Sequence, residues 1–347
     1  MPTPLQYALV FDVGGSHISA ALCAQGTYAL RGLTRAPLPD AGARHFSAVS
    51  FVRLIHALGE AAAKAVDLPM NSVAGACIAM PGPFDYENGV SHMQHKLQSL
   101  LNFDLKSALA ARFHWQPAQV RFLNDAAAFT LGESGAGAGK GHTRVLGLTL
   151  GTGIGAAFAI DNKISDSSPG NPEGVPPGGE MWNLPYNNAT VEDFVSTRFL
   201  RQHYQQLTGL QAEVTEVAAI AECQDTGPCP PLEELVRKQQ PPSFESTEGA
   251  ATASPARQAA IHASTPARAR QAFQDFGRHL GLALNQHAAA FRPDVIVLGG
   301  GISRASALFL SATRKALTFE TTLAISTLMD EAPLAGAGVH WFATQPA

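Results

Sequence analysis

Two apolar segments of this chain each run straight into a glycine-centred turn, and that pair limits what the chain can fold into more than any other feature. Tyr7-Ala8-Leu9-Val10-Phe11 leads into Asp12-Val13-Gly14-Gly15-Ser16, and Val145-Leu146-Gly147-Leu148-Thr149-Leu150 leads into Gly151-Thr152-Gly153-Ile154-Gly155. A third turn, Gly299-Gly300-Gly301, follows Val295-Ile296-Val297-Leu298. Glycine admits positive φ and lets backbone N–H groups approach a ligand closely. Successive N–H groups in such a turn form a concavity that binds anions. Two of these turns, opposed, clamp the phosphates of one nucleotide, which points to phosphoryl transfer.

Composition narrows the partners. The 347 residues suffice for two domains with full cores. A net charge of −4 argues against a nucleic-acid partner held through phosphates. No uninterrupted apolar run reaches about 18 residues, so no membrane span is expected. The start, Met1-Pro2-Thr3-Pro4-Leu5-Gln6, lacks the basic region of a secretory signal, and a cytoplasmic protein is expected. Four cysteines do not make a disulfide framework. Cys23 and Cys77 lie in apolar runs and are predicted to be buried. Cys223 and Cys229 stand close enough to raise a metal pair, without a second ligand pair nearby.

Along the chain, residues 6–35 read as a hairpin meander, 46–66 as a helix and 72–80 as a buried strand stopped by Pro81-Gly82-Pro83. A helix over 105–113 and a strand over 120–123 lead to Asn124-Asp125 and a helix over 126–135. The strands 145–150 and 155–160 form a second hairpin. Each half therefore opens on a hairpin with a glycine turn, a weak duplication that predicts two related α/β domains around a cleft. Their expected extents are 1–125, completed by a C-terminal helix within 333–347, and 126–332. Residues 165–190 read as a long loop, 190–205 as one helix capped by Thr190 or Asn188, and 223–265 as an exposed insertion with a short helix at 232–238. Helices are expected over 267–290, 306–317 and 333–342.

Phosphoryl transfer to a hydroxyl needs phosphate cradles, a carboxylate for the metal, a base and donors that orient the acceptor. Asp12, at the end of the first strand, suits a water-coordinated Mg²⁺, and equally a turn aspartate bonded to its own backbone. Asp125 suits a general base, and equally a helix N-cap. Asn124 offers both a donor and an acceptor, as a vicinal diol requires. Glu133, on the same helix, reads as a surface or inter-domain residue.

Asp12-Val13-Gly14-Gly15-Ser16, Ala79-Met80-Pro81-Gly82-Pro83, Leu123-Asn124-Asp125-Ala126-Ala127, Leu150-Gly151-Thr152-Gly153-Ile154-Gly155 and Val297-Leu298-Gly299-Gly300-Gly301-Ile302-Ser303 occur in that order. Together they resemble the ROK family of bacterial sugar kinases, within the actin/hexokinase/Hsp70 ATPase superfamily. The resemblance spans roughly residues 6–342 apart from the insertion. It implies two actin-like (ribonuclease H-like) α/β domains with an interdomain cleft, ATP and Mg²⁺ as cofactors, and a hexose substrate, glucose-like or N-acetylated. A homodimer is also implied. Asp12, Gly14, Gly15 and Ser16 match the first phosphate motif, and Gly151, Thr152, Gly153 and Gly155 the second. Gly299, Gly300 and Gly301 match the loop beside the adenosine. Asp125 matches the catalytic base, Asn124 a sugar-hydroxyl ligand and Gly82 a neighbour of the sugar; apart from the resemblance, His95 is a sugar-site candidate from its place after the Pro81-Gly82-Pro83 loop. Gly179-Glu180 resembles the start of the family's Gly-Glu-x-Gly-His segment, whose glutamate binds the sugar, and Glu192 resembles a later sugar-binding glutamate.

The chain departs from the family at Trp182 and Asn183, which stand at the glycine and the histidine of that segment, and the cysteines of the zinc motif that usually follows are missing. No zinc site is therefore expected. Asn183 can still hydrogen-bond a sugar hydroxyl. Trp182 either stacks on a pyranose or fills the space left by zinc. The departure keeps open a polyphosphate-dependent glucokinase and a sugar-binding protein without catalysis. A transcriptional regulator of the family would need a helix-turn-helix segment ahead of the first strand, and a strand starting near Tyr7 leaves no room for one.

Overall fold

The structure is a computed structural model and describes residues 6–38, 46–94, 97–166, 174–225, 228–239 and 255–344. The first half holds β1 (Tyr7–Val13), β2 (His17–Ala24), β3 (Leu30–Pro37), α1 (Ala48–Lys64), β4 (Val73–Met80), the small hairpin β5 (Phe84–Asp85) and β6 (Val90–Ser91), α2 (Leu105–Phe113), β7 (Val120–Asn124) and α3 (Asp125–Ala136). The second holds β8 (Arg144–Leu150), β9 (Ile154–Ile160), β10 (Lys163–Ser165), the hairpin β11 (Pro185–Tyr186) and β12 (Ala189–Thr190), then α4 (Val191–Phe194), α5 (Thr197–Thr208), α6 (Val214–Ala221) and α7 (Pro230–Gln239). It ends with α8 (Pro255–His287), β13 (Val295–Gly299), α9 (Ser306–Ala316), β14 (Thr322–Ile325) and α10 (Ala332–Ala343).

The duplication read from the sequence is present in the strand order. One sheet runs β3-β2-β1-β4-β7 and the other β10-β9-β8-β13-β14. In each, three strands form an antiparallel meander and the next two add in parallel. Side chains alternate between faces along a strand, so each sheet is covered twice. Leu9, Phe11 and Val13 of β1 pack with α1 and α2, while Ala8 and Val10 face the layer formed by α3 and α10. In the second sheet Leu146, Leu148, Ile296 and Leu298 pack under α5, α6 and α8, while Val145, Val295 and Val297 face α3 and α10. The two central helices touch backbone to backbone: a Cβ on Gly336 would lie 1.7 Å from the Ala128 carbonyl oxygen. Only glycine allows that approach.

Several local expectations change. The helix expected over 190–205 is two helices, because Ser196 caps α5 by accepting from the Phe199 N–H and breaks the run after Val195. Thr190 caps the shorter α4, as expected. The expected 165–190 loop contains the β11–β12 hairpin, while 167–173 lie outside the described residues. The insertion holds α7, and α8 already starts at Pro255. Cys223 and Cys229 are bonded to each other and so do not form a metal pair, whereas Cys23 and Cys77 are buried free thiols. Among the described residues no helix is long and apolar enough to cross a membrane.

Candidate active site

Asp12 continues the Ala8–Val10 face of β1 and thus points between the sheets. It pairs across the ladder with Ser19 on β2, which pairs with Arg35 on β3. The Arg35 Nε–H donates to the Ser19 hydroxyl at 3.1 Å, setting a guanidinium at the end of a row that starts at Asp12. Burial pushes the Asp12 carboxyl up to about 7; the charge of Asp125 adds to this, Arg35 opposes it and Asp330 contributes a smaller upward push. Asp12 and Asp125 are therefore brought to one place, as the sequence motifs require.

The helix start differs from the expectation. Asn124, not Asp125, is the N-cap of α3: its Oδ1 accepts from the N–H groups of Ala126 at 2.8 Å and Ala127 at 3.2 Å. Asp125 is the first helical residue and is exposed, with its Oδ1 also accepting from the Ala126 N–H at 2.9 Å. The Asn124 Nδ2 donates to the Tyr86 hydroxyl at 3.2 Å, which in turn donates to the Met80 carbonyl at 3.2 Å. Sequence reasoning placed Gly82 by the sugar but missed Tyr86, which no local motif marks. The tyrosine lies on the short turn just beyond, and a Cβ on Gly82 would stand 3.4 Å from its hydroxyl. Burial, with smaller pushes from Asp125 and Glu180 and opposed by the Asn124 hydrogen bond, moves the Tyr86 phenol up to about 12.

The two glycine turns share one construction. Each closes on itself, Gly14 N–H to His17 O at 3.0 Å and Gly151 N–H to Gly153 O at 2.9 Å. Among the described residues no acceptor takes the N–H groups of Gly15, Ser16, Thr152 or Gly153. A Cβ on Gly15 or Gly151 would meet nothing within 4 Å, so the backbone there lies open. The hairpin glycines do not adopt the positive φ that the sequence suggested. Among the glycines of the three turns only Gly300 does, at 81°, where it lies against the Leu150 backbone and brings the Gly299-Gly300-Gly301 loop onto the second hairpin. The second hairpin is pinned from outside by Thr197, whose N–H and hydroxyl both donate to the Gly151 carbonyl at 2.8 Å. Gly155 packs on Thr149 and Ala126, next to the start of α3. Beside Thr152 a cavity of about 360 Å³ opens between Thr197, Arg201, Gln202, Gln205 and Gln211.

The acidic residues of the second half divide. Glu180 accepts from the Trp182 indole N–H at 2.6 Å, and its charge reaches Tyr86. Asn183 is exposed on the same loop. Glu192, expected at the sugar, holds its Oε2 3.3 Å from the Ile154 N of the second hairpin. His95 lies outside the described residues. Among the described residues no group of three or more His, Cys, Asp or Glu side chains is placed to hold a metal ion.

Repeated strand order, a glycine hairpin at the head of each sheet and carboxylates gathered at the start of the helix between them define the actin-like, two-lobed α/β class. The chain belongs to the ROK family, whose model matches residues 10–337. It is 26% identical over 317 residues to the glucokinase of Thermotoga maritima, an alignment covering 88% of this chain and 84% of that one. A ROK hexokinase from Thermus thermophilus shares the fold at a TM-score of 0.68 and 20% identity, covering 96% of this chain and 97% of that one. A ROK family glucokinase from Streptomyces griseus, solved in complex with glucose and AMPPNP, does so at a TM-score of 0.61 and 20% identity, covering 95% and 97%.

Proposed function

We infer that this ROK-family protein is a sugar kinase that moves the γ-phosphate of ATP to a hydroxyl of a hexose, glucose-like or N-acetylated. The observation that carries this reading is the exposed Asp125 carboxylate, close enough to half-buried Asp12 on one side and to Tyr86 on the other to shift both. A hydroxyl placed against Asp125 gives up its proton there as it attacks the donor. Asn124 and Tyr86 hold the wall beside it, and Glu180 takes further hydroxyls from the opposite side. The open N–H groups of Gly15, Ser16, Thr152 and Gly153 receive the donor phosphates.

The residues fit Mg²⁺ at Asp12. A carboxylate whose charge is opposed by burial and by Asp125 gains from a cation bound through water. Bound there, the ion would neutralise charge on the transferred phosphoryl group. The cavity beside Thr152 favours a nucleotide over a bare polyphosphate. Its arginines are already paired, Arg198 with Asp193 at 2.6 Å and Arg201 with Glu213 at 3.2 Å, and what it offers is glutamine amides.

Replacing Asp125 by Asn removes the base and keeps the shape. Turnover with ATP and the best hexose should fall by about 10²–10⁴-fold, while ATP affinity measured by calorimetry stays within error. A variant that keeps wild-type turnover would remove Asp125 from the mechanism.

A further inference from the structure

Trp182 is held in an unusual way for a loop tryptophan. Its indole N–H donates to Glu180 Oε2 at 2.6 Å. Its carbonyl accepts from the Glu192 N–H at 3.1 Å, and the Glu192 carboxylate accepts in turn from Ile154 of the second glycine hairpin. The neighbouring Met181 is fully buried, which anchors the backbone. The indole is thus fixed at its edge and at its base, yet the residue remains 45% exposed. Ordering an aromatic ring while leaving it in water gives the fold little, because apolar surface stabilises chiefly when buried. A ring held still at its edge by a carboxylate, with its face left open, is a surface prepared for something to lie on it.

We propose that Trp182 is a specificity-determining residue of the acceptor site: its open face packs against the apolar C–H face of a pyranose, while the Glu180 oxygen it steadies accepts from that ring's hydroxyls. This rests on the sugar-kinase reading. Two features favour the acceptor over the donor for this ring. Its hydrogen-bond partner is Glu180, whose charge is felt at Tyr86 across from Asp125. Its hydrogen-bonded link to the second hairpin runs through its backbone carbonyl and Glu192. Tyr86 on the first lobe and Trp182 on the second then border the same acceptor, one through its hydroxyl and the other through its ring. The chemistry selects a closed six-membered ring with a continuous C–H face over an acyclic polyol bearing the same hydroxyls.

The test compares wild type, Trp182→Phe and Trp182→Ala in steady-state kinetics over hexopyranoses and acyclic hexitols, together with indole emission. Trp182→Phe keeps the ring and loses the N–H donated to a charged carboxylate, so the sugar KM should rise about tenfold. Trp182→Ala loses both and should raise it about a hundredfold. In both, kcat and the ATP KM should stay near wild type. Trp341 is buried and Trp115 is stacked on Phe113, so sugar without nucleotide should change wild-type emission and leave that of Trp182→Phe unchanged. Hexitols should be poor substrates for wild type, and the gap should narrow in Trp182→Ala. A sugar turned over by wild type whose KM is unmoved in Trp182→Ala, or which leaves wild-type emission unmoved, overturns the proposal alone. Wild type that phosphorylates no sugar at all overturns the sugar-kinase reading and this proposal with it.

Discussion

A single methyl group on Gly153 is enough to displace Glu192 from the second hairpin. A Cβ on Gly153 would lie 2.0 Å from the Glu192 Oε2, so Gly153→Ala must push that carboxylate off the Ile154 N–H. The displaced group is the end of a flexible side chain, so the fold should survive and the loop geometry should not. Gly153→Ala is expected to raise the KM for ATP several-fold, and Glu192→Ala to do the same. The double variant should be no worse than either single change, because both remove one interaction. Effects that multiply in the double variant would show that the two residues act separately. This contact also shows how far residues could be read from the chain. Asp12, Asp125 and the hairpin glycines were legible because a strand running into glycine or carboxylate is a local pattern. Arg35 was not: it reaches Asp12 only through two successive ladder pairings, by way of Ser19. Glu192 was placed by its spacing from a motif, and spacing does not say that its helix starts against the second hairpin.

Elements were legible where one period governed them, and less so where capping competed with it. Helix α2 runs over the expected residues, and α10 differs from its expectation by a residue at each end. The apolar pattern over 190–205 continues across Ser196, but a serine that accepts from the N–H three residues on starts a new helix there. The break turns α4 so that Phe194 joins Phe199, Tyr186 and His279 in one aromatic cluster. The cluster fastens the β11–β12 hairpin, beyond the Trp182 loop, to α8: Tyr186 Oη and His279 Nδ1 are 2.9 Å apart. Burial holds the His279 imidazole below its usual value of 6.5; Asp275 pulls it back up, while Arg278 and His203 push it further down. The folded chain therefore binds fewer protons at His279 than the unfolded chain does. That stability is full above about pH 6.5 and is lost as the pH falls through the range below it. Scanning calorimetry should find a Tm drop between pH 7.5 and 5.5 that shrinks in His279→Gln, which keeps a hydrogen-bonding group for Tyr186. An unchanged drop would place the acid sensitivity elsewhere.

Across the whole molecule, the helix that carries Asp125 at its first residue is tied down near its other end by a charge the sequence left on the surface or between domains. Glu133 is 0% exposed. Its Oε1 accepts from the Ser326 hydroxyl at 2.5 Å and the Leu328 N–H at 3.1 Å, and its Oε2 from Ala138 N–H at 2.7 Å and Thr327 N–H at 3.4 Å. Ser326 follows β14 of the second sheet, and Leu328 leads toward α10, whose other face packs on the first sheet. One carboxylate thus joins the helix that begins at Asp125, the edge of one sheet and the approach to the helix shared by both. No periodicity announces such a residue, since three of its four partners, Ser326, Thr327 and Leu328, lie almost two hundred positions away. Glu133→Ala leaves the buried Ser326 hydroxyl and three part-buried N–H groups without an acceptor and should cost about 3 kcal/mol in urea unfolding. Ser326→Ala removes one donor and should cost about 1–2 kcal/mol. Because the two residues share a bond, their costs should fall short of adding in the double variant. Glu133→Gln decides whether charge or shape matters: its amide turns an N–H toward groups that are themselves donors, so it should be destabilised almost as far as the alanine variant. If Glu133→Gln is instead as stable as wild type, Glu133 serves only to fill space, and α3 is held by its contact with α10 alone.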